Sequence, residues 1–217
     1  MAGTSNSTSN RLRSINNIIL CGHSGCGKTT LGRIAAHLLG FGFVDLDQLI
    51  EAQEQQSIRQ IFAEKGEEYF RSLESSLLQQ LHLLSNHVIS IGGGTFGSRK
   101  NLEILSSLGV MVWLHCETSE IARRLAQDPK ELAKRPLLAD LAILSNKAER
   151  LEQVKARLVD LYEGRSKFVE QAKFYLNVSF TSPDEGARSI NGLLRKKSSL
   201  KLLKKVSKPP LPSSSRG

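Results

Sequence analysis

The sequence predicts an α/β fold of three layers, α/β/α, with a five-stranded parallel sheet in the middle. Three observations carry this. Five short apolar runs alternate with helical patterns along the chain. Each run is apolar on both faces, as in strands covered from two sides. The composition, 40% hydrophobic and 24% charged, is that of a globular domain.

The elements follow in order. Residues 1–14 are rich in Ser, Asn and Thr and read as a disordered extension. The first strand, 17–21, ends in Gly22. A helical pattern from Lys28 to Leu39 stops at Gly40, Phe41 and Gly42. Residues 43–47 read as a second strand running into a loop. Residues 48–85 are helical in pattern, with an N-cap at Ser57 and a break at Gly66. The third strand, 87–91, is stopped by Gly92, Gly93 and Gly94. A helix near 98–108, a strand at 110–114 and a helix from Thr118 or Ser119 come next. Residues 126–146 are polar, weakly periodic and contain Pro129 and Pro136, which predicts a mobile segment. A charged helix from about Asn146 to Gly164, continuing after a kink toward Ala172, leads to a fifth strand at 174–178. A last helix follows Pro183. One domain at 15–194 accounts for this order, with a basic, disordered tail at 195–217.

The formal net charge of +9 suggests a nucleic-acid or membrane partner only until it is located. Residues 195–217 hold eight basic residues and no acid, and residues 1–14 hold two basic residues and no acid. The stretch between them holds 20 basic and 21 acidic residues. The folded body is thus near neutral, and nothing in it reads as a nucleic-acid-binding domain. No apolar run reaches the roughly 18–20 residues of a membrane span, and no signal-peptide core is present. Three cysteines (Cys21, Cys26 and Cys116) without metal-type spacing read as reduced thiols in a cytoplasmic protein.

The chemistry begins at Gly22, directly after the first strand. Residues 22–29 fit G-x-x-x-x-G-K-[ST] at every fixed position and open a helix, the context a phosphate-binding loop requires. Gly22, Ser24, Gly25, Cys26, Gly27, Lys28, Thr29 and Thr30 would turn backbone N–H groups toward an anion at the helix N-terminus. Lys28 reaches phosphates, and the Thr29 hydroxyl suits Mg²⁺. With no guanine-reading motif, ATP is the expected nucleotide. Cys26, beside a helix N-terminus and a lysine, has surroundings that lower a thiol pKa, but reads as a small residue the loop tolerates.

Four further features surround this loop. Asp45 and Asp47 stand at the end of the second strand, where alternation would point both carboxylates to one side, one toward Mg²⁺ and one toward a hydroxyl. Arg71 and Glu74 share a helix face, and a planar guanidinium suits a substrate carboxylate. Gly92, Gly93 and Gly94 let a ligand approach the backbone. Arg135, in the segment 135–138 (Arg-Pro-Leu-Leu), can close on a transferring phosphate.

The order G-x-x-x-x-G-K-T, D-x-D, F-R-x-x-E, G-G-G, R-P-L-L resembles the shikimate kinase family, over roughly residues 16–194. The resemblance implies a P-loop kinase fold of the nucleoside-monophosphate-kinase-like group, with a lid at about 124–146. It also implies transfer of the ATP γ-phosphate to the 3-hydroxyl of shikimate. By the same resemblance Lys28, Asp47 and Arg135 are catalytic, and Thr29 and Asp45 serve Mg²⁺. Arg124 lies near adenine. Asp47, Arg71, Gly93 and Arg165 contact shikimate, Phe62 and Phe70 wall its pocket, and Glu74 orients nearby arginines. The family's R-x-P-L-Y-x-x-x-A motif is altered here. Arg165 precedes Phe168 by one residue fewer and the Pro is missing, so Arg157 is an alternative. Another small-molecule kinase, for gluconate or a nucleotide, and a non-catalytic P-loop binding protein are the competing readings. No heptad run points to an oligomer, so a monomer is expected.

Overall fold

The structure, a computed structural model, describes residues 17–95, 98–162 and 170–195. The expected extension at 1–14, the tail beyond Arg195 and Arg165 lie outside the described residues.

The central strand is β1 (Asn17–Gly22), buried along its whole length. Helix α1 (Lys28–Leu39) follows the phosphate loop and ends at Gly40 in the left-handed conformation. Strand β2 (Gly42–Asp45) runs directly into α2 (Leu46–Glu54). Helix α3 (Ile58–Gln80) starts at the expected Ser57, which forms a capping box with Gln60, and is interrupted at Gly66 (φ 79°). Then come β3 (His87–Ser90), α4 (Arg99–Leu108), β4 (Val110–His115) and α5 (Thr118–Gln127). The segment read as weakly periodic contains α6 (Pro129–Ala133) and a 3₁₀ turn (Ala139–Ile143). Helix α7 (Lys147–Tyr162), strand β5 (Phe174–Asn177) and helix α8 (Pro183–Arg195) complete the chain.

The five strands are parallel in the order β2-β3-β1-β4-β5. Alternation along β1 shows why three layers form. Ile18 and Leu20 face one apolar cluster, with residues of α1, α5, α7 and α8. Ile19 and Cys21 face the other, with residues of α2, α3 and α4. All four are fully buried. Chain connections leave β1 toward β2 on one side, while β4 lies on the other. A crevice therefore opens at the carboxyl end of β1, where ligands bind in doubly wound sheets.

One expectation is corrected. Asp47 is not on the second strand. The strand stops at Asp45, whose side chain caps α2 by accepting from the Asp47 N–H at 3.1 Å. Strand alternation therefore has no part in where the two carboxylates point. Capping prevailed because an Asp in extended conformation (φ −114°, ψ 119°) satisfies an orphan N–H of the next helix.

Candidate active site

The loop from Gly22 to Gly27 joins β1 to α1. Gly25 (φ 85°) and Gly27 (φ 97°) adopt left-handed backbone angles that L-residues rarely take. The side chain of Lys28 is buried and folds across the loop. Its Nζ donates to the carbonyls of Gly22 (3.0 Å) and His23 (2.9 Å). An ammonium has three donors, so one remains to point at an anion. Gly22 lines neither cavity and meets Lys28 through this carbonyl. The side chain of Cys26 is fully buried in the core that also contains Cys116. Burial pushes the Cys116 thiol up to about 11 and the Cys21 thiol well above its usual range.

Thr29 Oγ1 donates to Asp45 Oδ2 at 2.7 Å. Among the described residues no three His, Cys, Asp or Glu side chains gather to hold a metal by themselves. A hydroxyl–carboxylate pair beside a phosphate loop nevertheless fits Mg²⁺, which takes one or two protein ligands and completes its shell with phosphate oxygens and water.

Asp47 is half-buried beside this pair. Burial, then the neighbouring charges of Asp45, Glu74 and Glu51, push its carboxyl up to about 6, against the pull of Lys28. That places it near the pH at which a general base is most useful.

Two cavities meet at this point. The larger, about 670 Å³, runs from the phosphate loop past Asp45 to Arg123, Arg124, Val178, Thr181 and Pro183. Arg124 donates to Glu120 Oε1 (2.7 Å) and to the Ser179 carbonyl (3.1 Å). Hydrogen bonds from Arg123 and Arg124 hold the Glu120 carboxyl down to about 2. The smaller cavity, about 170 Å³, is walled by Phe62, Phe70, Arg71, Glu74 and Gly92 to Gly94, with Leu158, Leu161 and Tyr162 opposite. Ser24, Asp47 and Arg135 line both cavities.

Arg71 projects into the smaller cavity. It donates to Glu74 Oε2 at 3.1 Å and to Glu67 Oε1 at 3.0 Å, and its guanidinium lies 5.1 Å from the centre of the Phe70 ring. Burial opposes its charge, but Glu74 and Glu67 hold its pKa above the usual value. A Cβ on Gly94 would lie 2.4 Å from Arg71 Nη1, so glycine there makes room for the guanidinium. Arg135 is anchored to the Glu131 backbone carbonyl through Nη1, and its buried Nε has no protein partner.

The sequence-predicted residues therefore converge on the two cavities, with three exceptions, the first being Gly22, which lines neither. Arg157 does not line the smaller cavity; it donates to the Leu137 carbonyl and to Asp140 Oδ2, each at 3.1 Å, tying α7 to the segment after Arg135. Arg165 lies outside the described residues. Sequence reading missed Tyr162, which donates to the Ser24 carbonyl at 2.9 Å and stacks on His23 at 3.6 Å between ring centres. It also missed Lys134 and Leu158, which line the smaller cavity. None of these carries a motif: Leu158 and Tyr162 read as ordinary positions in a helix pattern, and Lys134 as a polar residue of the weakly periodic segment.

The chain is similar to known proteins over most of its length. The family model for shikimate kinase matches residues 24–182. A shikimate kinase of Persephonella marina is 35% identical over 179 residues, spanning 82% of this chain and 99% of its own. One from Geobacter metallireducens is 35% identical over 181 residues, 83% of this chain and 93% of its own. Among solved structures, shikimate kinase from Bacteroides thetaiotaomicron superposes with a TM-score of 0.70 at 29% identity, covering 83% of this chain and 99% of that one. Shikimate kinase from Acinetobacter baumannii in complex with shikimate gives 0.68 at 29% identity, covering 84% and 94%.

Proposed function

The chain belongs to the shikimate kinase family, and from that premise we propose that it transfers the γ-phosphate of ATP to the 3-hydroxyl of shikimate. One observation carries the reading. The larger cavity has the phosphate loop at its floor, the smaller has an arginine on an apolar wall, and Asp47 and Arg135 stand where the two join. A nucleotide in the first and a small hydroxylated acid in the second would meet at those side chains.

The roles follow from the contacts. The backbone of the loop and Lys28 hold the phosphates. Thr29 and Asp45 would hold Mg²⁺, which when bound neutralises charge on the phosphate oxygens. Arg124 faces the end of the larger cavity that suits adenine. Arg71 pairs with the substrate carboxylate, and the Phe62 and Phe70 rings exclude water around the carbocycle. Asp47 aligns the attacking hydroxyl and accepts its proton. The acceptor oxygen forms a bond to the γ-phosphorus as the bond to the β–γ bridging oxygen breaks, and ADP leaves. Phosphoryl transfer has a loose transition state, so positioning and charge neutralisation supply the rate. Arg135 supplies positive charge from the lid side.

Purified protein should phosphorylate shikimate with ATP and Mg²⁺ and leave gluconate and nucleoside monophosphates untouched. Turnover of either alternative acceptor at a rate above that of shikimate refutes the assignment; unchanged turnover in Asp47→Asn refutes the role of Asp47.

A further inference from the structure

Glu74 is fully buried and ion-paired, so both carboxylate oxygens require donors. Oε2 receives Arg71. Oε1 receives the hydroxyl of Thr95 at 2.6 Å. Thr95 is itself fully buried. Its carbonyl accepts from Asn101 Nδ2 at 3.0 Å, and its N–H donates to the Gly92 carbonyl at 3.3 Å. A continuous chain thus runs from Asn101 in the first turn of α4, through the turn after the three glycines, to Glu74 and Arg71 on α3. Arg71 also donates from Nε (3.2 Å) and Nη2 (3.0 Å) to one oxygen of Glu67, but Glu67 is more than half exposed, where water competes for an ion pair. The buried Glu74 is therefore the firmer anchor for Arg71, and Thr95 is the anchor for Glu74.

The glycines fit the same arrangement. A Cβ on Gly92 would lie 3.2 Å from Glu74 Oε1 and 3.5 Å from Thr95 Oγ1, so the backbone runs alongside this hydrogen bond. We propose that Thr95 is a positioning residue: its hydroxyl fixes Glu74, and through it presents the Arg71 guanidinium to an acceptor carboxylate. The role rests on the reading of Arg71 as the carboxylate clamp. It is distinct from that of Asp47 and Arg135, since Thr95 lines neither cavity.

Thr95→Val keeps the shape of the side chain and removes only the hydroxyl; Thr95→Ser keeps the hydroxyl. Steady-state kinetics and calorimetric titration with shikimate would be measured on both and on the wild type. Thr95→Val should raise the KM and Kd for shikimate about tenfold, the cost of leaving a buried acceptor unpaired. The KM for ATP should stay within about twofold, and Thr95→Ser should bind shikimate like the wild type. If valine does not fold, the Ser and Ala variants at this position differ by the hydroxyl alone and give the same split. A lower melting temperature with unchanged shikimate affinity overturns the role, and so does an equal rise in both KM values. Wild-type protein that neither binds nor phosphorylates shikimate overturns the proposed function and this role together. Active wild type with an unchanged Thr95→Val overturns the role alone.

Discussion

Asp47→Asn should lower turnover and raise stability together. The carboxyl of Asp47 has an ordinary value of 3.8 and is pushed up to about 6 in the fold, chiefly by burial and then by Asp45. The sign follows from proton linkage. Below 3.8 the group is protonated in both folded and unfolded chains and contributes nothing. Between 3.8 and 6 the unfolded chain ionises first, so stability falls as pH rises. Above 6 both states are ionised and the full penalty stands. At 1.36 kcal/mol per pH unit, the penalty is about 3 kcal/mol at pH 7.5 and about 1 kcal/mol at pH 4.5. The first is an upper value, because Asp47 keeps an edge in the water of the cleft. Asparagine removes the charge and with it the penalty.

Urea unfolding of both proteins at pH 7.5 and pH 4.5 measures this directly. The variant should be more stable at both pH values, with the larger gain at pH 7.5. In thermal melts the gain at pH 7.5 corresponds to roughly 6–12 °C, at about 2–4 °C per kcal/mol for a domain of this size. Turnover should fall by about 10²-fold or more, the usual contribution of a positioned base. A variant no more stable than wild type, or one whose gain is the same at both pH values, refutes the argument that Asp47 is held ionised at a cost.

Arg135→Ala should reduce kcat by about a thousandfold, as loss of an arginine at a transferring phosphate does elsewhere, with little change in melting temperature; a change confined to the KM for shikimate would contradict its place at the junction. Gly94→Ala should raise the KM for shikimate while leaving that for ATP unchanged, because the new Cβ displaces Arg71, whose Nη1 would be 2.4 Å away. The displaced group is the far end of a flexible side chain, so unfolding free energy should change by less than about 1 kcal/mol. Asp45→Asn should keep the cap on α2, since asparagine caps as well as aspartate, whereas Asp45→Ala should lose about 1 kcal/mol. Both should require more Mg²⁺ for half-maximal rate, and equal Mg²⁺ dependence in variant and wild type would remove Asp45 from that role.

The inner strands β1, β3 and β4 were legible because burial on both faces leaves a short apolar run that no helix surface would show, and the edge strands β2 and β5 keep such a run although they are only partly buried. The start of α3 was legible because a capping box has a sequence spacing of its own. The segment 126–146 was not. Its helices are one or two turns long, too short for an apolar period, and Asp128 and Pro129 are the local signals that start α6. Yet Leu132, Leu138 and Leu141 are buried in the core, so the segment is packed at three points. The phosphate loop could be read residue by residue because its function depends on backbone geometry fixed at consecutive positions. Contacts such as Tyr162 with Ser24, 138 residues apart, or Thr95 with Glu74, 21 apart, have no such spacing to reveal them.

The pair Asp45 and Asp47 shows how a site can be named from sequence while its geometry is misjudged. Strand alternation would have turned both carboxylates the same way, each free to act. Instead the strand ends at Asp45, and that carboxylate serves two neighbours: Oδ1 accepts from the first turn of α2 and Oδ2 from Thr29. The cap draws the start of α2 to the sheet edge, and Asp47 comes with it to the junction of the two cavities. The positive end of a helix ordinarily favours an ionised acid in its first turn. Here burial and the charges of Asp45, Glu74 and Glu51 outweigh it and lift the Asp47 carboxyl. The same cap that positions Asp47 thus also places it beside the charge that raises its affinity for a proton.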